Sequence, residues 1–324
     1  MHQILEQLNH ITVRIICDDG NGNQSTGTGY IFTFFGEDKQ EYPVIITNKH
    51  VVDGMKSGGF NLTIANDDGS PDVGNHEFVN IWSLQKCCLY HPNPDVDLVA
   101  VLIGYSLNYA LNKGVEYYFR SLSKDILPTQ SVLNELYTVE DIIMIGYPNG
   151  LWDEKHNLPI YRKGVTATHA GLNLNGRPEF LIDAACFPGS SGSPVFLFNK
   201  GGYINKNGSF VIGGTTRIVL LGTLWGGPTY TSEGEVKVVN IPTSTKPISV
   251  SKIPSNLGFV IHASELLVFD KIIEKFINGL GAMSINKFNV IPKENFKDKE
   301  SSLSRNAKCN CGSGKKYKHC CGKI

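Results

Sequence analysis

The sequence predicts a mainly β protein, an antiparallel barrel or sandwich, and three observations predict it. Short apolar runs rich in Val, Ile and Phe recur along the chain, each bounded by Gly, Asn, Asp or Pro. Helical periodicity is rare and is not interleaved with those runs, which argues against a doubly wound sheet. Glycine is plentiful at 34 residues, as are the aromatics, with 13 Tyr and 16 Phe.

The strand-like runs, in order, are 11–17 (ITVRIIC), 28–34 (TGYIFTF), 43–47 (PVIIT), 97–103 (DLVAVLI), 140–145 (EDIIMI), 194–198 (PVFLF), 208–212 (GSFVI), 217–224 (RIVLLGTL) and 258–261 (GFVI). Each is too short for a helix of ordinary length and carries the branched or aromatic side chains that pack well on a pleated surface. One segment reads as a helix. Over 262–278 the residues Leu266, Leu267, Phe269, Ile272, Ile273 and Phe276 recur at helical spacing. Ser264 and Glu265 suit its first turn, and Gly279 could stop it. The region 104–139 is ambiguous.

The 324 residues balance 30 Lys plus Arg against 30 Asp plus Glu, so no global field favours nucleic acid or a membrane. No apolar run of about 18 residues predicts a transmembrane helix. The first residues lack a basic start and a long apolar stretch, so no signal peptide is expected and the default location is the cytoplasm. From about residue 280 the chain turns polar. Between Leu280 and Ile324 ten Lys plus Arg face three Asp plus Glu, a local charge of +7. The division expected is a body over 1–279, a polar linker over 280–304 and a small module over 305–324. Cysteines follow the same division. Cys17, Cys87, Cys88 and Cys186 are scattered in the body, whereas Cys309, Cys311, Cys320 and Cys321 crowd the end.

Chemistry enters with three stretches. VIITNKHVVDG (44–54) is an apolar strand running to a His. PDVDLVAVLI (94–103) sets an acid before an apolar strand. FPGSSGSPVF (187–196) places serines between glycines ahead of another. A serine hydroxyl is a weak nucleophile until an imidazole accepts its proton, and the imidazole needs a carboxylate on its other nitrogen to fix its tautomer. Glycine before the serine lets backbone N–H groups turn toward a developing oxyanion.

These stretches resemble the chymotrypsin-like serine peptidases of the disulfide-poor bacterial branch, over roughly residues 10–270. STGTGYIF (25–32) is similar to the strand leading to the family's His, TNKHVV to its Thr-x-x-His segment, DLVAVL to the strand after its acid, and GSSGSP to its Gly-x-Ser-Gly-x-Pro. The resemblance implies two six-stranded antiparallel β-barrels with a C-terminal helix. It implies His50 as general base, Asp97 as orienting acid and Ser191 as nucleophile, with the N–H groups of Gly189 and Ser191 as oxyanion hole. Asp95 is the competing acid; Ser190 and Ser193 are the competing serines. The residue six before the nucleophile, Ala185, would lie at the base of the primary pocket, and GTLWGG (222–227) would supply Leu224, Trp225 and Gly226 as its wall. A neutral pocket is expected, with Asp183 able to overturn that if the alignment slips by two. IGYPNGLWDEKHNLPIYRKG (145–164) reads as a long surface loop near the site.

The tail, KCNCGSGKKYKHCCGK, resembles the SEC-C zinc motif. That implies one structural Zn²⁺ on Cys309, Cys311, Cys320 and Cys321, with His319 as a competing ligand and no cofactor for catalysis. Lys308, Lys315, Lys316 and Lys318 would give it a basic face for a protein or ribonucleoprotein partner. The function implied is an intracellular serine endopeptidase whose tail recruits a partner. The alternative is a non-catalytic or conditionally active binding protein on the same scaffold, working mainly through the tail.

Overall fold

The computed structural model describes residues 2–36, 40–204, 206, 210–212, 217–235, 248–254, 256–280 and 316. The linker beyond 280 and the four tail cysteines lie outside the described residues.

The first half carries β1 (Thr12–Asp18), β2 (Gln24–Phe35), β3 (Glu41–Thr47), β4 (Ser57–Ala65), β5 (Pro71–Ile81), β6 (Cys88–Tyr90), β7 (Val99–Leu102) and β8 (Tyr117–Tyr118). They form one antiparallel sheet in the order β5-β4-β1-β2-β3-β7-β6, with β8 paired to β4. Four short helices, α1 (His2–Leu8), α2 (Lys49–Val52), α3 (Leu84–Cys87) and α4 (Gly104–Leu111), accompany it. The second half opens with α5 (Gln130–Glu135). Next come β9 (Asp141–Gly146), β10 (Ile160–Thr166), β11 (Glu179–Asp183), β12 (Pro194–Asn199), β13 (Gly202–Ile204) and β14 (Phe210–Ile212). β15 (Arg217–Gly226), β16 (Thr229–Glu235), β17 (Ile248–Pro254) and β18 (Leu257–His262) complete the strands. Six of these close into a barrel, β10-β11-β18-β15-β12-β9, while β13–β14 and β16–β17 are separate two-stranded ribbons. A 3₁₀ turn, Ala263–Leu267, leads into the C-terminal helix α6 (Val268–Leu280).

The mainly β fold and the C-terminal helix are as the sequence leads one to expect; of the two six-stranded barrels expected, the second half closes as one, whereas the first half forms an eight-stranded sheet among the described residues. In the first half the hydrogen-bonded path of seven strands ends at β5 on one side and β6 on the other, with β8 paired off it to β4. β6 is three residues long and most of β5 is exposed, so neither offers a long apolar edge for closure.

Alternation along the strands explains the three cores. In β2, Tyr30, Phe32 and Phe34 point to the layer between the two halves, where they meet Ile145, Phe196 and Leu220. Ile31 points the other way, to Val13, Ile45, Phe60 and Val101 within the first sheet. β2 is therefore buried on both faces, hence its near-continuous apolar run. The barrel interior holds Ile142, Met144, Phe180, Ile182, Val195, Leu197, Leu224 and Val260. α6 covers the central layer with Phe269 and Ile273 after Leu266, at helical spacing, Phe269 lying 6.5 Å from the Phe34 ring. A Lys124–Asp270 ion pair at 2.5 Å ties its first turn to the loop after β8. Burying side chains the size of Phe269 stabilises by about 1.5–3 kcal/mol each.

Candidate active site

The register of two adjacent strands brings His50 and Asp97 together. β3 pairs with β7 so that Thr47 lies opposite Val99. The chain leaving β3 therefore passes the chain entering β7. Asn48, fully buried, donates from its side chain to the Asp97 carbonyl at 2.8 Å and starts α2. His50 sits in that single turn. Its backbone N–H donates to Asp97 Oδ1 at 3.2 Å, and with its proton on Nδ1 the ring donates to Asp97 Oδ2 at 2.5 Å. The ring is 50% exposed against 23% for the carboxylate, so the histidine faces solvent while its acid is shielded. Asp95 is exposed and makes no contact with His50 among the described residues; its carbonyl accepts from Arg177 Nη2 at 3.5 Å. Beside the pair, Lys49 Nζ donates to the Asn93 carbonyl at 2.9 Å. Burial lowers the Lys49 pKa, against the pull of Asp97 and Asp95.

Ser191 arrives from the other half, in the turn before β12. Gly189 and Gly192 flank it with φ of 86° and 88°. Neither tolerates a side chain. A Cβ on Gly189 would meet the Tyr147 carbonyl at 2.6 Å, and on Gly192 it would overlap the Thr28 carbonyl. The N–H groups of Gly189 and Ser191 make no hydrogen bond among the described residues. The neighbouring serines are shut away: Ser190 is 1% and Ser193 0% exposed, and neither hydroxyl finds a partner among the described residues. Ser191 Oγ is the partly accessible one, and it donates weakly to the Trp225 carbonyl at 3.5 Å. No hydrogen bond joins it to His50 among the described residues.

The two halves are stitched by Thr28, a residue inside STGTGYIF with no chemical signal of its own in the sequence. Its N–H donates to the Ser191 carbonyl at 2.8 Å, and its Oγ1 donates to the Gly189 carbonyl at 2.8 Å. The same Oγ1 accepts from the Tyr147 N–H at 3.0 Å, and the Thr28 carbonyl accepts from Thr47 Oγ1 at 2.7 Å. The glycines on either side make room. A Cβ at Gly27 would run into Val51, and one at Gly29 into Ile45. The loop after β9 braces the serine turn from behind, its Asn149 N–H donating to the Pro188 carbonyl at 2.6 Å.

The expected wall and floor segments run beside this turn. Leu224 is buried; its carbonyl accepts from the Gly192 N–H at 2.7 Å, and its N–H donates to the Ser193 carbonyl at 2.9 Å. Trp225 sits in a bulge of β15, stacks on Phe259 at 5.4 Å and donates from its indole to buried Glu179 at 2.8 Å. A Cβ on Gly226 would meet nothing within 4 Å, so that position faces open space. Asp183 is exposed and lies on the strand face opposite Ile182, away from the barrel interior. The Ala185 carbonyl accepts from Arg162 Nη1 at 2.6 Å. Burial pushes the adjacent Cys186 thiol up to about 11, with Arg162 pulling it down and Asp183 up.

Comparison with known proteins places the tail first: residues 305–323 match the SEC-C motif. No curated protein matches the chain. Among solved structures it is similar to the Rv3671c protease from M. tuberculosis in its active form, at 15% identity, 89% of this chain, 87% of that one and a TM-score of 0.39. It is similar to the inactive mutant form of Rv3671c at 15%, 86%, 92% and 0.41. HL collagenase gives 12%, 82%, 94% and 0.43. Likeness at this level leaves the functional reading to the chain's own residues.

Proposed function

We propose that the chain is a serine endopeptidase acting on protein substrates through an acyl-enzyme. The observation that carries the reading is the contact from His50 Nδ1 to Asp97 Oδ2, with the partly accessible Ser191 hydroxyl held in a glycine-flanked turn. In this reading Asp97 fixes the tautomer that leaves His50 Nε2 as a lone-pair base. Nε2 takes the Ser191 proton as Oγ attacks the scissile carbonyl carbon. The carbonyl electrons move to oxygen, where the Gly189 and Ser191 N–H groups receive the negative charge. The imidazolium then gives its proton to the leaving amine. Water, deprotonated by His50, attacks the acyl ester, and Ser191 regains its proton as the acid product departs.

The alternative, a conditionally active scaffold, is favoured by one observation: Ser191 Oγ is turned to the Trp225 carbonyl and makes no hydrogen bond to His50. Hydrogen bonds of this kind are often long in ligand-free enzymes and tighten in the substrate complex. A fluorophosphonate probe separates the readings, because it reports an activated serine without a known substrate. Labelling of the wild type and its loss in Ser191→Ala is the expected result, with turnover falling on the order of 10⁴-fold or more. A wild type that never labels would leave the binding-scaffold reading standing.

For the tail we propose a structural zinc held by Cys309, Cys311, Cys320 and Cys321, a donor set of four thiols that suits tetrahedral Zn²⁺. When bound, the metal would supply the folding energy that so short a segment lacks. The lysines of the tail would then form the basic face for an acidic protein or ribonucleoprotein partner, in a cytoplasmic setting.

A further inference from the structure

The sequence leads to a neutral primary pocket because Ala185 brings no charge to its floor. The structure brings a charge there from another strand. Arg162 lies on β10 directly opposite Met144 of β9, so the two share a sheet face, and Met144 belongs to the barrel interior. Arg162 therefore points inward, at the barrel end where Ala185 and Cys186 lead out of β11 toward Ser191. Its Nη1 donates to the Ala185 carbonyl at 2.6 Å, and its guanidinium lies 4.8 Å over the Phe187 ring. These two contacts fix the plane of the guanidinium four to six residues before the candidate nucleophile.

What the contacts do not supply is an anion. Among the described residues no carboxylate lies within 4 Å of Arg162, and its Nε is buried with no hydrogen-bond partner. Asp183, the nearest acid in sequence to this floor, is exposed on the opposite strand face. A partly buried guanidinium with one donor used and no counter-charge is unfavourable by itself, since the charge is partly desolvated and a buried N–H is left unmatched. Its planar donor set suits a carboxylate, which could accept two parallel hydrogen bonds. Of the expected wall, Leu224 is apolar, Gly226 is open, and the Glu179 carboxylate that accepts from the Trp225 indole is paired with Arg177, while the thiol of Cys186 is held in its neutral form by burial.

We propose that Arg162 is a specificity residue and that the pocket takes an acidic side chain, so that cleavage follows Asp or Glu. This inference rests on the peptidase reading of the same site. Its test is inactivation by a matched set of peptidyl phosphonate esters carrying Glu, Leu or Lys at the position that enters the pocket, with a small fluorophosphonate as a probe independent of that pocket. The Glu compound is expected to inactivate the wild type about 10- to 100-fold faster than the others. Arg162→Met should abolish that preference while fluorophosphonate labelling persists, which shows that the fold is intact. Arg162→Lys, which keeps the charge and loses the planar fork, should retain part of the preference. Arg162→Glu should shift it to the Lys compound, a reversal that an arginine merely bracing Ala185 would not produce. Labelling by the fluorophosphonate with equal or faster reaction of the Leu or Lys compound would overturn the role of Arg162 alone. So would labelling with no reaction of the Glu compound, or a Glu preference that survives in Arg162→Met. Absence of labelling by the fluorophosphonate itself would overturn the peptidase reading and this inference with it.

Discussion

The two sides of the candidate site are built by different means. His50 and Asp97 come from one sheet, and the pairing of β3 with β7 places them; once Thr47 faces Val99, few other positions are open to them. Ser191 comes from the second half, in a turn that needs two glycines at positive φ and is held across the interface by Thr28. The first side is fixed by register, the second by loop conformation and a few long-range hydrogen bonds. Register is a cooperative property of whole strands and resists single substitutions. A loop held by three or four bonds responds to each of them.

The largest expected effect on this comparison is at the acid. Asp97→Asn keeps the size and the strand register but offers His50 an amide in place of a carboxylate, which favours the wrong tautomer. Turnover of a fluorogenic peptide should fall about 10⁴-fold with thermal stability nearly unchanged. Asp95→Asn, two residues away and exposed, should alter turnover by about twofold or less. Equal losses from both substitutions would show that the His50–Asp97 contact is not what governs the rate.

Next in size is the stitch between the halves. Thr28→Val keeps shape and removes the hydroxyl that donates to the Gly189 carbonyl and accepts from the Tyr147 N–H. Leaving those two groups unmatched costs about 1–3 kcal/mol each. Part of that should appear as a misplaced Gly189 N–H, with kcat lowered about 10- to 100-fold and KM little changed. Thr28→Ser should recover most of the loss. A Thr28→Val enzyme with lower stability and unaltered kcat would mean that the stitch holds the halves together without shaping the serine turn.

Legibility in the sequence divides along the same line. Strands buried on both faces, such as β2 and β3, announce themselves as apolar runs, and so does the amphipathic pattern of α6. β5 and β10 did not, because most of β5 is exposed and β10 is half-buried, with polar residues such as His76, Glu77, Arg162 and Lys163 in their pairing segments. In region 104–139 the short elements α4, β8 and α5 carry no sustained period. At the site, the His, Asp and Ser stretches were readable because each couples a reactive side chain to a strand end. Thr28 lies within STGTGYIF, but a hydroxyl bonding across 161 residues leaves no local pattern. Arg162 was hidden for a related reason. Its place beside Ala185 depends on how the end of β10 runs past the end of β11, a tertiary fact that spacing from the serine does not encode.

The smallest expected effect on catalysis sets the whole body against the tail. Every residue placed at the site lies before residue 230, and α6 ends at Leu280, well before the SEC-C match at 305–323. Removing 305–324 should therefore change cleavage of a small peptide by about twofold or less, and should leave fluorophosphonate labelling intact. The intact, reduced chain should carry one zinc, bound through thiolates, and Cys309→Ser combined with Cys320→Ser should release it. If the tail recruits a partner as proposed, that double variant should also lose binding to it, since a segment this short has no apolar core to hold its lysines in place once the metal is gone. Zinc content unchanged by the double substitution would refute the ligand set. A truncated chain that folds and labels normally yet cannot cleave the small peptide would show that the tail completes the substrate site, and the contrast between body and tail would then have to be redrawn.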